Sequence, residues 1–160
     1  MGVASAVLCA EELEGELEAE LGRARREREV LKSVDGAKIE ARLSERREFE
    51  DRAEALQKRL RAFLRSAAEQ LGVPAGRPDT FSNIVQASDA GPRLAEVTAS
   101  IAALARELSQ VNAVNHRLAE RVLSVTKAYV RALSPRPSAY DRRGAESTHS
   151  SALSSMSRRA

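Results

Sequence analysis

The side chains that could carry out chemistry are few and widely separated. The only histidines are His116 and His149, and the only cysteine is Cys9. A metal site needs His, Cys, Asp or Glu ligands at short fixed spacings, and no such cluster occurs. His149 precedes Ser150 and Ser151, but a catalytic triad needs a rigid scaffold that holds its groups in hydrogen-bonding geometry. No glycine-rich phosphate loop is present either, so we expect no enzyme activity, no cofactor and no metal.

What the sequence offers instead is a repeating apolar pattern in its last long segment. Eleven positions recur there in steps of three and four residues, an average of 3.5,. On a helix this spacing draws one continuous seam that packs against other helices. The seam predicts a chain that acts by laying a helix face against another protein. Its positions are Leu94, Val97, Ile101, Leu104, Leu108, Val111, Asn115, Leu118, Val122, Val125 and Tyr129.

Two details of this segment point to a binding surface. Asn115 interrupts the apolar seam, and Asn112 lies one turn before it. A buried amide costs stability but can fix the register by hydrogen bonding to a partner; an amide facing a hydrated part of a bundle is the alternative. After Leu118 the apolar stripe widens, and exposed apolar area of this kind marks a protein-binding site. A closed core or a homodimer interface would explain the same widening, which comprises Val122, Leu123, Val125, Tyr129, Val130 and Leu133.

The composition indicates which elements must position these residues. Charged residues make up 31% of the chain and aromatic residues only 3%, a balance typical of long helices. We predict an all-α fold, an elongated antiparallel helical hairpin or three-helix bundle with coiled-coil-like packing and a disordered carboxy-terminal tail. We expect a single helical domain over residues 1–133, with helices at about 9–33, 36–71, 80–88 (short) and 92–133, followed by a flexible tail at 134–160.

Turn residues set the expected helix boundaries. Asp35 can cap a following helix and Gly36 can relax the preceding one, so they mark a joint. Whether Gly36 breaks the chain into two helices or only bends it stays open. The glycines and prolines of residues 72–79 end the second helix. The short helix after them is expected to bury Phe81, Ile84 and Val85.

The charge distribution and the first residues of the chain limit the partners and the compartment that we expect. The chain carries 26 basic and 23 acidic side chains, a net charge of +3. The part from residue 134 onward holds five basic and two acidic side chains, so the rest is balanced and lacks the one-signed stripe of a nucleic-acid site. The start MGVASAVLCAEE has no basic leader, and its apolar run is too short to span a bilayer,. We expect a cytoplasmic protein with no membrane insertion and no nucleic-acid partner.

Several of these residues resemble a known family, the FlgN-like flagellar export chaperones. The earlier stretch, with Leu31, Asp35, Gly36 and Ile39 and the charged helix through Leu60, is similar to the first helical half of that family. The resemblance covers roughly residues 10 to 146. Its more specific part is the run Leu108-x-x-Val111-Asn112-x-x-Asn115-x-x-Leu118, then the helix to Leu133 and Pro135-x-Pro137-x-x-Tyr140-Asp141-x-x-Gly144.

The resemblance implies a cytoplasmic chaperone of the flagellar type III secretion system. Such a chaperone holds hook–filament junction proteins, FlgK-like and FlgL-like, prevents their premature assembly and delivers them to the export gate. In the family the carboxy-terminal helix engages the client's terminal helical segment, and a tail tyrosine contacts the cytoplasmic domain of the gate protein FlhA. The gate contact here would be Tyr140, and the client face would be Asn112, Asn115, Leu118, Val122, Val125 and Tyr129.

The sequence departs from the family's pattern at two points, and a competing hypothesis stands beside the chaperone. Arg42 and Arg46 stand where aliphatic residues are expected in the family, and the Ser- and Arg-rich ending after Gly144 departs from its pattern. The competing hypothesis is a structural coiled-coil or scaffold protein that has no client and associates with itself along residues 94–129. A chaperone would be a monomer or a weak homodimer, whereas a scaffold would be a tight one.

Overall fold

The structure is a computed structural model that describes residues 2–74 and 76–133. It contains four helices: α1 (Val3–Ser33), α2 (Gly36–Gln70), α3 (Thr80–Gln86) and α4 (Gly91–Leu133). No strand occurs in these two ranges, and the all-α prediction is confirmed. The chain divides into two units, Met1–Leu123 and Ser124–Ala160, which are described separately. The predicted tail at 134–160 lies outside the described residues.

Helices α1 and α2 form an antiparallel hairpin. Glu12 of α1 accepts a hydrogen bond from Arg59 at 3.2 Å, and Glu16 accepts one from Arg52 at 3.2 Å. Partner numbers fall along α2 as numbers rise along α1, so the two helices run in opposite directions. These two ion pairs lie at the surface, so each contributes little stability. The apolar residues between the helices hold the hairpin together.

The hairpin turn consists of two residues. Val34 adopts the left-handed conformation, with φ 52° and ψ 27°, and closes α1. The Asp35 carboxylate accepts hydrogen bonds from the backbone N–H groups of Ala37 and Lys38 at 3.1 and 3.3 Å, which confirms the predicted cap,. The Lys38 N–H and the Lys38 ammonium both lower the pKa of Asp35. The chain is therefore broken at this turn, and the left-handed residue is a valine rather than Gly36.

The amino-terminal end of α1 belongs to the core of the first unit. The helix starts at Val3, earlier than the start near Cys9 expected from the sequence. The reason is that Val3, Ala6, Val7 and Ala10 are spaced three and four residues apart, so they share one helix face. They pack in one buried cluster with Ala67, Ala68, Ile84, Leu94 and Val97.

The short helix α3 closes this end of the first unit. Ile84 is buried, whereas Phe81 and Val85 are half-buried at its edge. A Cβ atom added at Gly91 would lie 1.8 Å from the backbone oxygen of Val85. Only glycine permits this close approach between α3 and the first turn of α4. Glycine at position 91 is therefore required by the packing of α3 against α4.

Helix α4 packs against the hairpin within the first unit. Arg93 donates to Glu11 at 2.8 Å, and Arg25 farther along α1 donates to Glu107 farther along α4. Residue numbers rise together in these pairs, so this part of α4 runs parallel to α1 and antiparallel to α2. Leu94 and Val97 complete the first buried cluster, and Leu108 joins a second one with Leu17, Leu21 and Phe49. The predicted three-helix arrangement is thereby confirmed for the first unit.

Candidate protein-binding surface

The first half of the predicted seam is used inside the chain. Leu94, Val97 and Leu108 are buried, with 0%, 1% and 8% of their surface exposed. Ile101, Leu104 and Val111 are half-buried against the second cluster. Burying a leucine or valine side chain of this kind stabilises a fold by about 1.5–3 kcal/mol. Residues 94–111 of the seam therefore hold α4 on its own hairpin.

Asn115 is committed to the interior of the first unit. Its exposed fraction is 2%, and its Nδ2 donates to the backbone oxygen of Ala24 at 2.7 Å. Its Oδ1 accepts from the Nε atom of Arg28 at 3.4 Å. The partner that this amide selects is α1 of the same chain, so the amide fixes the register of α4 against the hairpin. Almost none of the Asn115 side chain is therefore accessible to a client, the contact predicted for it from the sequence.

Asn112 is the second amide in internal use. Its Oδ1 accepts from Nη2 of Arg46 at 3.1 Å, and the same Nη2 donates to Glu27 at 2.9 Å. This chain of bonds links α1, α2 and α4. Asn112 is half-buried, so part of the side chain remains accessible beside its hydrogen bond.

Arg46 belongs to a buried ionic network that sequence reasoning missed. Glu20 and Arg42 are 1% and 7% exposed, and Arg42 donates to both Glu20 and Glu27, the latter at 3.1 Å. Burial lowers the pKa of Arg42, but the hydrogen bonds and charges of Glu20 and Glu27 outweigh this effect and raise it above its ordinary value. The sequence signal was the pair of arginines at positions where the family resemblance calls for aliphatic residues.

The remainder of α4 has a different environment. Within the first unit Leu118 and Val122 are half-buried, and Leu123 is 54% exposed. In the second unit apolar side chains are exposed by 69% at Val125 and 65% at Tyr129. With 3.6 residues per turn, the apolar positions of this stretch fall within less than half of the helix circumference. Exposed apolar area of this kind marks candidate protein-binding surfaces. We call the apolar residues of α4 from Leu118 onward the α4 stripe; they are Leu118, Val122, Leu123, Val125, Tyr129, Val130 and Leu133.

The groups considered for chemistry are not brought together. Cys9 is buried, its thiol donates to the Leu56 backbone oxygen at 3.4 Å, and burial raises its pKa, which makes the reactive thiolate scarce,. His116 is an exposed partner of Glu120 at 3.4 Å. In the part of the chain that the structure describes, no three His, Cys, Asp or Glu side chains lie close enough together to hold a metal ion. Among the described helices none is long and apolar enough to cross a membrane.

These features define an all-α bundle protein with an exposed apolar stripe on its last helix. A family model described as FlgN protein matches residues 12–148. The chain belongs to the FlgN family, which is a family of flagellar export chaperones and not of enzymes. No curated protein and no solved structure matches the chain. Tyr140, the predicted gate contact, lies outside the described residues, and the predicted client face stays a prediction.

Proposed function

We propose that this chaperone binds the terminal helices of FlgK-like and FlgL-like hook–filament junction proteins in the cytoplasm. It keeps those helices from assembling prematurely and delivers the client to the cytoplasmic domain of an FlhA-like export gate. The proposal rests on membership of the FlgN family and on one structural observation. That observation is the exposure of Leu123, Val125, Tyr129 and Leu133 on the final helix.

We centre the proposed client face on side chains that are accessible. Asn115 is buried and bonded to α1, so we assign it the role of holding α4 on the hairpin. Asn112 keeps a half-buried side chain and stays at the edge of the face. The centre of the face is the α4 stripe, in which Leu118, Val122, Val125 and Tyr129 were expected from the sequence. Leu123 and Leu133 extend it.

The proposed mechanism follows from helix-on-helix recognition. Terminal helices of assembly proteins carry apolar faces that associate with copies of themselves, and a chaperone helix that covers this face prevents that association. A few large apolar anchors supply most of the affinity in such contacts. Tyr129 fits this part because an aromatic ring gives a large contact area with only two rotatable side-chain bonds. The binding step itself requires no nucleotide and no metal.

The proposed delivery step uses a second contact on the same chain. Tyr140 would dock on the gate while the α4 stripe holds the client. Linking the two contacts in one molecule raises the effective concentration of the client at the gate without strengthening either contact. The proposal therefore predicts two separable binding activities.

The client contact is tested with Val125→Asp. A carboxylate in the stripe must lose its hydration when the client helix binds, so we expect binding to an FlgK-like protein to weaken by at least about tenfold, or about 1.4 kcal/mol. Ser124→Asp is the matched control, because this exposed serine lies on the opposite side of the helix and acquires the same charge. Binding is measured by calorimetry, with helicity checked by circular dichroism. Equal affinities for the two variants would refute a client site on the stripe.

The gate contact is tested with Tyr140→Ala. We expect this change to weaken binding to the cytoplasmic domain of FlhA while client affinity stays within about twofold of the original value. The two affinities are measured on the same preparation by surface plasmon resonance. A parallel loss of both would show that the two contacts are not separate, and the delivery scheme would fail.

Self-association as a scaffold is the second candidate. The observation against it is that residues 94–111 of the seam already pack within the chain, which leaves only the later part for a second copy. Sedimentation equilibrium of the isolated protein distinguishes the candidates. A tight homodimer abolished by Val125→Asp would favour the scaffold, and a monomer that binds an FlgK-like protein would favour the chaperone.

A further inference from the structure

Two clefts of the first unit lie between α2 and α4. The first has a volume of about 480 Å³, with Phe49 and Ala53 on the α2 side and Leu108 and Ser109 on the α4 side. The second has a volume of about 280 Å³, with Ile39 and Leu43 facing His116 and Ala119. Asn112 lines both clefts, so they follow one another along the same pair of helices. We call this feature the α2–α4 groove.

The groove exists because α4 presents small side chains where α2 presents large ones. Ala105, Ser109 and Ala119 are too short to fill the space beside Phe49 and Leu43. Phe49 is nevertheless buried in the second cluster, whereas Leu43 is left 48% exposed. The unit therefore has the layout of a helical bundle in which one further helix could lie between α2 and α4.

The length of the groove matches a helical segment. The stretch of α2 from Ile39 to Gln57 lines it and is about 27 Å long at 1.5 Å per residue. An incoming helix of about 18 residues would cover this length. Leu17 of α1 lines the first cleft, and Val30 and Leu31 line the second beside the paired Glu27 and Arg42. The incoming helix must therefore present an apolar face to these leucine and valine side chains.

The rim of the groove is electrically polarised. Glu50 and Glu54 line the first cleft. The second is lined by Arg42, Arg46 and His116, together with Glu27, to which both arginines are bonded. Glu54 is also paired with Lys58 at 2.7 Å, which leaves Glu50 as the main acidic group at that end. Arg46 retains 30% side-chain exposure while bonded to Glu27. Opposite charges at the two ends favour one orientation of a charged partner helix.

We propose that the α2–α4 groove binds an amphipathic helix of the client with segregated charges. The helix carries Lys or Arg at the end that lies over Glu50, and Asp or Glu at the end that lies over Arg46. Its apolar face fills the space left by Ala105, Ser109 and Ala119. This inference rests on the proposed chaperone function and adds to it a second contact, separate from the α4 stripe, that sets the orientation of the client.

The first test fills the groove with a bulky side chain. Ser109→Trp occupies the first cleft from an exposed position, and Ala103→Trp is the control, because Ala103 is exposed and lines neither cleft. We expect Ser109→Trp to weaken the binding of an FlgK-like protein about tenfold, with the control within about twofold. Unchanged affinity for a folded Ser109→Trp would overturn the groove. If that variant does not fold, the charge variants of the next test decide.

The second test probes charge with two synthetic helical peptides of about 18 residues. Both have the same composition and apolar face, but one has basic and acidic residues at opposite ends and the other has them alternating. We expect the segregated peptide to bind several-fold more tightly, and Glu50→Lys to remove the difference. Glu48→Lys, an exposed change outside both clefts, should keep it. Equal binding of the two peptides to the unmodified chain would overturn the charge assignment.

The outcomes separate this inference from the function on which it rests. Loss of client binding in Val125→Asp combined with full binding in Ser109→Trp would keep the chaperone proposal and refute the groove. Loss in both variants, with both controls intact, supports both contacts. An unmodified chain that fails to bind FlgK-like and FlgL-like proteins would overturn the proposed function itself.

Discussion

The two parts of α4 carry the same apolar repeat in different surroundings. From Leu94 to Val111 the repeat is buried or half-buried against α1 and α2. At Val125 and Tyr129 the side chains are exposed by 69% and 65%. An apolar period of 3.5 residues predicts that a helix face packs against other helices. It does not predict whether those helices belong to the same chain.

The polar residues tell the two parts apart more clearly than the apolar ones do. Asn112 and Asn115 stand where the buried part ends, and both are hydrogen bonded to the hairpin. The comparison teaches that the amides mark the end of the internal seam, so that stability and binding are expected to depend on different residues of one helix.

The largest effect is expected at the ionic network beneath the buried part. Arg42→Ala removes the guanidinium that the buried Glu20 and Glu27 share, and breaking a buried ion pair in this way costs about 3–5 kcal/mol. Urea unfolding followed by circular dichroism measures the change. The neighbouring exposed Arg47→Ala should stay within about 0.5 kcal/mol. Similar stabilities for the two variants would mean that the network does not support the helix contacts.

A direct comparison of the two parts uses the same substitution in each. Leu94→Ala removes a fully buried side chain and should lower the free energy of unfolding by about 3 kcal/mol. Leu133→Ala, at a position 66% exposed, should change it by less than about 0.5 kcal/mol. Chemical denaturation gives both values. Equal losses would show that the stripe is part of the core.

Replacing the two amide side chains should lower the free energy of unfolding by smaller amounts, and by more at Asn115 than at Asn112. Asn115→Ala removes the bond to the Ala24 oxygen from a buried position, and we expect a loss of about 2 kcal/mol. Asn112→Ala removes one bond from a half-buried position and should cost less than about 1 kcal/mol. Thermal unfolding of both variants checks the order. The reverse order would place the register-setting contact at Asn112.

The smallest effect is a gain at the hairpin turn. Val34 is held in the left-handed conformation, which a β-branched residue adopts only at a cost. Val34→Gly should raise stability by about 1 kcal/mol without touching either part of α4. Client affinity should then stay unchanged, which isolates binding from stability. A change in client affinity would show that the turn takes part in recognition.

Much of this architecture could be predicted from the sequence. The 3.5-residue spacing predicts the last helix, Asp35 predicts the cap of α2, and the glycines and prolines of residues 72–79 predict where α2 ends. The early start of α1 at Val3 was missed because a short run of small apolar residues does not by itself distinguish a helix from other local structures. The network of Glu20, Glu27 and Arg42 was missed because pairing across helices depends on their relative register, which no local pattern contains.

Local sequence patterns predict the helices, several of their ends and an apolar face along the last of them, because these properties depend on residues a few positions apart. Which part of that face is covered depends on the packed fold. Within the first unit it depends on how α4 sits on the hairpin and on where Glu27, Arg46 and Asn112 meet. Such contacts join residues far apart in the chain, so the division between core and binding surface is a property of the packed molecule.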